Sequence, residues 1–273
     1  MSAVQISGRV DDREPRHATL RVSDDLSAAA WIARRLEGDF GAVTQTVPSG
    51  FAAYARICHP ATDRDGTPVT WEYVAQATGR QTHPLMQWDA LVGSPDPLNI
   101  RGWLWPGSDP QRGHLVSELL GPVCDLLAAH TAAPENCHFC LWDGYSWTRG
   151  ACAIPTSSRL SAHAMRRRRV HLCRRDYALL AGPLAAALQI GWWHSASWFE
   201  PHSPNLFWPA DHAWCVASEI DFDSTLVGGP TELIDAILHT PTLDSWPVQA
   251  DHSLAAYADR INRSPQSSPT PRD

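Results

Sequence analysis

Three acidic residues recur at alternate positions late in the chain: Glu219, Asp221 and Asp223. A single β-strand over residues 213–223 would place all three on one face, because strand side chains alternate with a period of two, and would turn Val216, Ile220 and Phe222 the other way. Gathered carboxylates suit hard divalent cations such as magnesium, calcium or manganese. They equally make the solvated face of an antiparallel sheet, which is the simpler reading. A second constellation is aromatic. The chain holds 13 Trp against 6 Phe and 5 Tyr. Trp103 and Trp105 lie in a Pro-rich stretch, and Trp208 and Trp214 flank Asp211. Indole faces stack on sugars, bases and cations and anchor protein partners, while most tryptophans in any chain simply pack in the core. Trp103, Trp105, Trp208, Asp211, Trp214, Glu219, Asp221 and Asp223 are therefore the candidate ligand-binding residues.

Other chemistry-bearing residues read as structural. Cys137 and Cys140 have the spacing of a zinc half-site, with His130 and Cys152 close in sequence, but no second C-x-x-C follows. On a strand the two thiols would face opposite sides, so buried thiols are expected and no zinc. His59 and His83 each precede a proline at the end of an element and are read as satisfied structural histidines. His194 and His202 fall in a Trp-rich loop, and no Ser-His-Asp or Cys-His set follows from order alone, since such sets are defined in space.

Composition removes several function classes. All 22 basic residues are Arg, so there is no lysine for a Schiff base, a pyridoxal-phosphate anchor or a phosphate loop. The signatures G-x-G-x-x-G, H-E-x-x-H and G-x-S-x-G are missing too. A formal charge of -7 argues against nucleic acid as a partner. The polar start of the chain has no apolar stretch suited to a signal peptide, and seven scattered cysteines read as reduced thiols, so a cytoplasmic location is expected. The apolar run 177–193 follows Arg166–Arg169, Arg174 and Arg175, yet it is short of the ~20 residues a membrane span needs. It also contains Gly182-Pro183, and is expected to be a core element, with no membrane partner.

The elements that must position these residues can be placed by periodicity and caps. A helix is expected after Ser23, with Leu26, Ala29, Ile32, Ala33 and Leu36 on one face and Gly38 at its end. A strand is expected over 51–57, and a helix over 71–77 capped by Thr70 and closed by Gly79. A short helix should hold Met86, Trp88 and Leu91, and residues 94–112 form a long loop. Residues 115–130 read as helical with a break at Gly121-Pro122. Residues 138–142 and 145–153 read as a hairpin across Asp143-Gly144. Strands near 170–172 and 213–222, a helix over 231–238 and a last helix from Asp251 or Ser253 to about Asn262 complete the list. The expected organisation is a flexible segment over 1–20, one α+β domain over 21–262 and a disordered tail over 263–273.

Val47-Pro48-Ser49-Gly50-Phe51 with Ala53–Ile57 and His59-Pro60, Phe139–Gly144, and the stretch from Ser203 through Asp211 and Asp221 to Gly229 resemble an uncharacterised family of actinobacterial proteins. The likeness runs from about Val47 to Asn262, and Arg166–Arg169 departs from it. It implies a lineage and assigns neither activity nor catalytic residue. The sequence thus predicts an α+β fold, with an antiparallel or mixed sheet from the second half packed against helices drawn largely from the first. The expected function is non-enzymatic binding of an unidentified protein or small molecule in a Trp-lined groove, without a cofactor. The alternative is a metal-dependent hydrolase or transferase holding a divalent cation on Glu219, Asp221 and Asp223.

Overall fold

The computed structural model describes residues 20–94, 105–145, 169–172, 174–195 and 197–263. In chain order the strands are β1 (Arg21–Val22), β2 (Ala53–Cys58), β3 (Ala61–Thr62), β4 (Pro68–Val69), β5 (Cys137–Trp142), β6 (Val170–Leu172) and β7 (Arg175–Gly182). They continue as β8 (Gly191–Ser195), β9 (Trp198–Pro201), β10 (Leu206–Pro209), β11 (Cys215–Ala217), β12 (Ser224–Gly229) and β13 (Ser245–Val248). The helices are α1 (Ala30–Ala33), α2 (Val43–Thr46), α3 (Trp71–Thr78), α4 (Trp88–Leu91), α5 (Ser117–Ala129) and α6 (Thr231–Leu238).

The fold is α+β, built on one antiparallel sheet in the order β1-β7-β5-β10-β11-β12-β2-β13, with β6 also pairing β7. Most of its strands come from the second half, but β2 inserts between β12 and β13. Both faces are covered, as the dense apolar composition of the strands requires. Ala55, Ile57, Phe139, Leu180, Phe207 and Val216 pack on one face against α5, α6 and the 3-10 helix Leu184–Gln189. Tyr54, Cys140, Leu179, Trp208 and Leu226 on the other meet Ala29, Ile32, Val43 and Val47. Cys58 at the end of β2 joins a third cluster with Trp71, Val74, Met86 and Trp88 of the α3–α4 region.

The expected α3 forms as its caps dictate. The Thr70 side chain accepts the Tyr73 N–H, and Gly79 closes the helix at φ 68° in the left-handed region. Run 177–193 enters the core as β7, the 3-10 helix and β8, and no helix among the described residues is long and apolar enough to cross a membrane.

Several expectations are corrected. The helix expected after Ser23 is a 3-10 turn over Leu26–Ala29 leading into the short α1, capped by Asp25, which accepts the Ser27 N–H at 2.9 Å. Ser23 instead donates its own N–H to the Leu179 carbonyl at 2.8 Å, continuing the β1 pairing. Helix α5 runs unbroken through Pro122, which gives no N–H to the Glu118 carbonyl, while Gly121 before it adds no Cβ contact with the proline ring. Strand β5 pairs with β7 and β10, while the expected hairpin partner beyond Tyr145 lies outside the described residues. The last helix is absent from 251–263. There the Asp259 carboxylate takes the Ile261 and Asn262 N–H groups at 2.9 and 2.8 Å and winds the chain into a turn instead.

Candidate functional site

The three alternating acids do not share a strand. β11 stops at Ala217, and residues 218–223 turn back to β12, the turn closed by the Phe222 N–H on the Glu219 carbonyl at 2.9 Å. The period-two argument fails there because the backbone is not extended. Glu219 accepts from Arg175 Nε at 2.8 Å and Nη2 at 2.5 Å, and Asp221 accepts from the same Nη2 at 2.6 Å. Arg175 also lies over the Trp142 ring at 5.8 Å. Asp223 turns inward to a different arginine, Arg56, at 3.4 Å. The repulsion expected among clustered carboxylates is relieved by guanidinium groups. Among the described residues no three His, Cys, Asp or Glu side chains gather as a metal-holding set.

Arg56 is the centre of the site. It is fully buried, at the position of β2 facing the α3–α4 side, and its register opposite Leu226 sets it beside Ser224 of β12. Nε donates to Ser224 Oγ at 3.0 Å, Nη1 to the Met86 and Pro84 carbonyls at 2.7 and 3.2 Å, and the guanidinium lies over the Trp71 ring at 4.9 Å. These neutral partners make burial of the charge tolerable, and Asp223 supplies its counter-ion.

Beside this pair opens a cavity of about 260 Å³, lined by Arg56, Asp89, Arg112, Asp221, Asp223 and Ser224, with Phe40, Gln87 and Leu254 among the remaining walls. Asp89 comes from α4 and is ion-paired with Arg263. Burial raises the Asp223 carboxyl above the usual carboxylate range, with Arg56 and Arg112 pulling it back. Burial likewise raises Asp89, against the pull of Arg263, and the nearby charge of Asp223 adds to the rise. Arg112 is exposed, and among the described residues it has no hydrogen-bond or ion-pair partner.

The backbone on either side of Arg112 is fixed. Gly113 donates its N–H to the Phe222 carbonyl at 2.8 Å with φ 68°, and a Cβ on it would lie 2.7 Å from Ile220 Cα, so only glycine fits. On the other side the Gln111 carbonyl lies 2.6 Å from Nδ1 of buried His59, so Nδ1 carries the proton. Nε2 of His59 then accepts from Thr225 Oγ1 at 2.8 Å, and that hydroxyl in turn accepts from Ser218 at 2.7 Å. Burial pushes His59 down to about 4, keeping it neutral. The loop is thus pinned to the same turn that delivers Asp223.

The other sequence candidates lie elsewhere. Trp105, Trp208 and Trp214 are buried in three different clusters and frame no common groove, while Trp103 lies outside the described residues. Trp105 donates to the Thr62 carbonyl and Trp214 to the Leu127 carbonyl, and Trp208 stacks on His138 with no partner for its indole nitrogen among the described residues. Asp211 binds the Thr131 hydroxyl and the Ala132 and Ala213 N–H groups, fastening one turn to another. Cys137 and Cys140 point to opposite faces of β5, and burial raises both thiols, Cys137 to about 12. Cys152 and Arg166–Arg168 lie outside the described residues, and Arg169 pairs with Asp143 at 2.9 Å. His83 pairs with Asp259, His202 stacks on His114, and His194 stacks on Trp198.

Sequence reasoning missed Arg56, Asp89 and Arg112. The first two carry a signal: an arginine inside the apolar strand Tyr54–Cys58, and an acid inside the apolar turn Trp88–Leu91. A charge in an otherwise buried element must be paired, and its partner marks a polar interior. Arg112 has only its glycine neighbour to distinguish it. No family model, curated protein or solved structure matches this chain.

Proposed function

We propose that the protein is a cytoplasmic, non-enzymatic binding protein whose ligand occupies the cleft between Arg112 and the Arg56–Asp223 pair. The observation that carries this reading is an arginine with no hydrogen-bond or ion-pair partner among the described residues, held by a fixed loop across a polar cleft from an anchored carboxylate. Arginine presents a planar fork matched to a carboxylate, and Asp223 accepts from an N–H or O–H group. The ligand class is therefore a small amino acid or hydroxy acid with an anionic end and a donor end. A cavity of about 260 Å³ sits below the ~300–1,000 Å³ of drug-sized sites, which fits so small a molecule. The alternative of a cation-dependent hydrolase or transferase has less support, because Arg175 and Arg56 divide its three carboxylates between them.

Thermal melts against a panel of amino acids and hydroxy acids test the proposal, since a ligand selective for the folded state raises the melting temperature. At least one panel member is expected to stabilise the parent, and the same member is expected to lose its effect on Arg112→Ala. Magnesium, calcium and manganese in the same melts test the alternative. A cation-specific rise abolished by Asp221→Asn would favour the enzyme reading over this one.

A further inference from the structure

A second cavity, of about 500 Å³, lies on the other side of the Gln111–Gly113 loop, between the β3–β4 hairpin, the start of α5 and residues 242–244. Its volume falls within the ~300–1,000 Å³ typical of small-molecule sites. Two features of its walls are unusual together. Most of the surface is hydrocarbon, from Pro60, Ala61, Val69, Val116 and Leu119, yet Asp109, Glu118 and Asp244 also line it and, among the described residues, no basic side chain does.

No ion pair among the described residues neutralises these acids, although burial raises the Asp244 carboxyl and the Arg56 charge acts against that rise. Asp244 accepts from the Trp71 N–H at 2.7 Å and from Trp246 Nε1 at 2.9 Å, and Asp109 accepts from Trp88 Nε1 at 2.8 Å. All three donors are neutral, so they orient the carboxylates without supplying a counter-charge. Among the described residues, Asp109, Glu118 and Asp244 have no ion-pair partner. Asp244 is half-buried while Asp109 and Glu118 are exposed, and carboxylates beside apolar walls attract a cation, Asp244 with the least screening by water. A hydrated metal ion would find few ligands on such walls, and an anion would meet three negative charges.

We propose that this cavity is a distinct binding site for an organic cation with a hydrocarbon body, an alkyl or arylalkyl amine whose ammonium pairs with carboxylates of its acidic wall, drawn from Asp109, Glu118 and Asp244. The hydrocarbon gains by leaving water, and the ammonium gains by pairing with carboxylates, of which Asp109 and Asp244 are already oriented by indole and backbone donors. The site is independent of the Arg112 cleft, which presents arginines where this one presents only acids.

Calorimetric titration of the full chain with four probes tests this: n-hexylammonium, methylammonium, hexanol and hexanoate. Hexylammonium is expected to bind at least about tenfold more tightly than methylammonium or hexanol, and hexanoate is expected not to bind. Glu118→Gln sits on the exposed first turn of α5, and Asp109→Asn keeps an oxygen for Trp88, so both variants should fold. Each is expected to weaken hexylammonium about three- to tenfold. Arg112→Ala is expected to leave hexylammonium binding unchanged, which separates this site from the cleft. Equal binding of hexanol and hexylammonium, unchanged binding in both acid variants, or no binding of hexylammonium would each overturn the proposal.

Discussion

At the scale of single residues, the burial and partner of each charge decide what its substitution does. Arg56→Leu removes the counter-ion of Asp223 and leaves the Met86 and Pro84 carbonyls without a donor, so a loss of about 3–5 kcal/mol is expected in urea unfolding. Asp221 is a contrast, because its side chain is 58% exposed and it shares Arg175 with the better buried Glu219. Asp221→Asn is expected to change stability by less than about 1 kcal/mol, the ordinary worth of a surface ion pair. A loss comparable to that of Arg56→Leu would show that the Arg175 network bears on the core. The sequence pointed to the acids and not to their arginines. Acids at alternate positions are visible in one short segment, whereas Arg56 and Arg175 come from distant strands and are matched to them only by folding.

At the scale of elements, local signals were readable wherever local physics decides the outcome. Thr70 and Gly79 bound α3, and the dense run of aromatic and aliphatic residues over 53–58 makes β2, buried on both faces. The expected 213–223 strand stops early because the β10–β11 ladder ends with the Ser218 N–H on the Asn205 carbonyl, and the chain then turns back, closed by the Phe222 N–H on the Glu219 carbonyl. That turn and the Arg112 loop are joined through His59, which lies among three buried histidines held neutral. Burial lowers His59 and His202 to about 4 and His114 to about 3, the last also through its stacked neighbour His202. Their folded values lie below the unfolded value near 6.5, so the unfolded chain binds more protons between those limits. The stability they contribute is complete above about pH 6.5 and is lost as pH falls toward 4, about 2 kcal/mol per histidine at pH 5. The raised carboxylates Asp89, Asp223 and Glu219 act in the opposite sense, since burial penalises their ionised forms. His59→Gln isolates one histidine, because glutamine can still donate to Gln111 and accept from Thr225. Urea unfolding between pH 5 and 8 is expected to show a shallower acid-side slope for His59→Gln than for the parent, and equal slopes would mean His59 titrates normally. Gly113→Ala, which forces a Cβ against Ile220, is expected to lower the melting temperature of the whole domain and to loosen the Arg112 loop.

At the scale of the molecule, composition and periodicity gave the α+β class and the covered sheet, but not which loops meet at its end. Strand β2 belongs to the first half and pairs between β12 and β13, and this single insertion carries Arg56 to Asp223 and places the 111–113 loop beside the 218–223 turn. The candidate cleft is therefore a product of strand order, which no short segment encodes. Tryptophan number misled for the related reason that Trp71, Trp88, Trp208 and Trp214 are spent on the core, all nearly or wholly without exposure. The proposed function rests on Arg112, which has no hydrogen-bond or ion-pair partner among the described residues, receiving a ligand anion. Its most direct test is calorimetric titration of parent and Arg112→Ala with the panel acid that most raises the melting temperature. The account predicts binding to the parent, at least about tenfold weaker binding to Arg112→Ala, and unchanged unfolding of the variant in urea. Equal affinity for both proteins would contradict it.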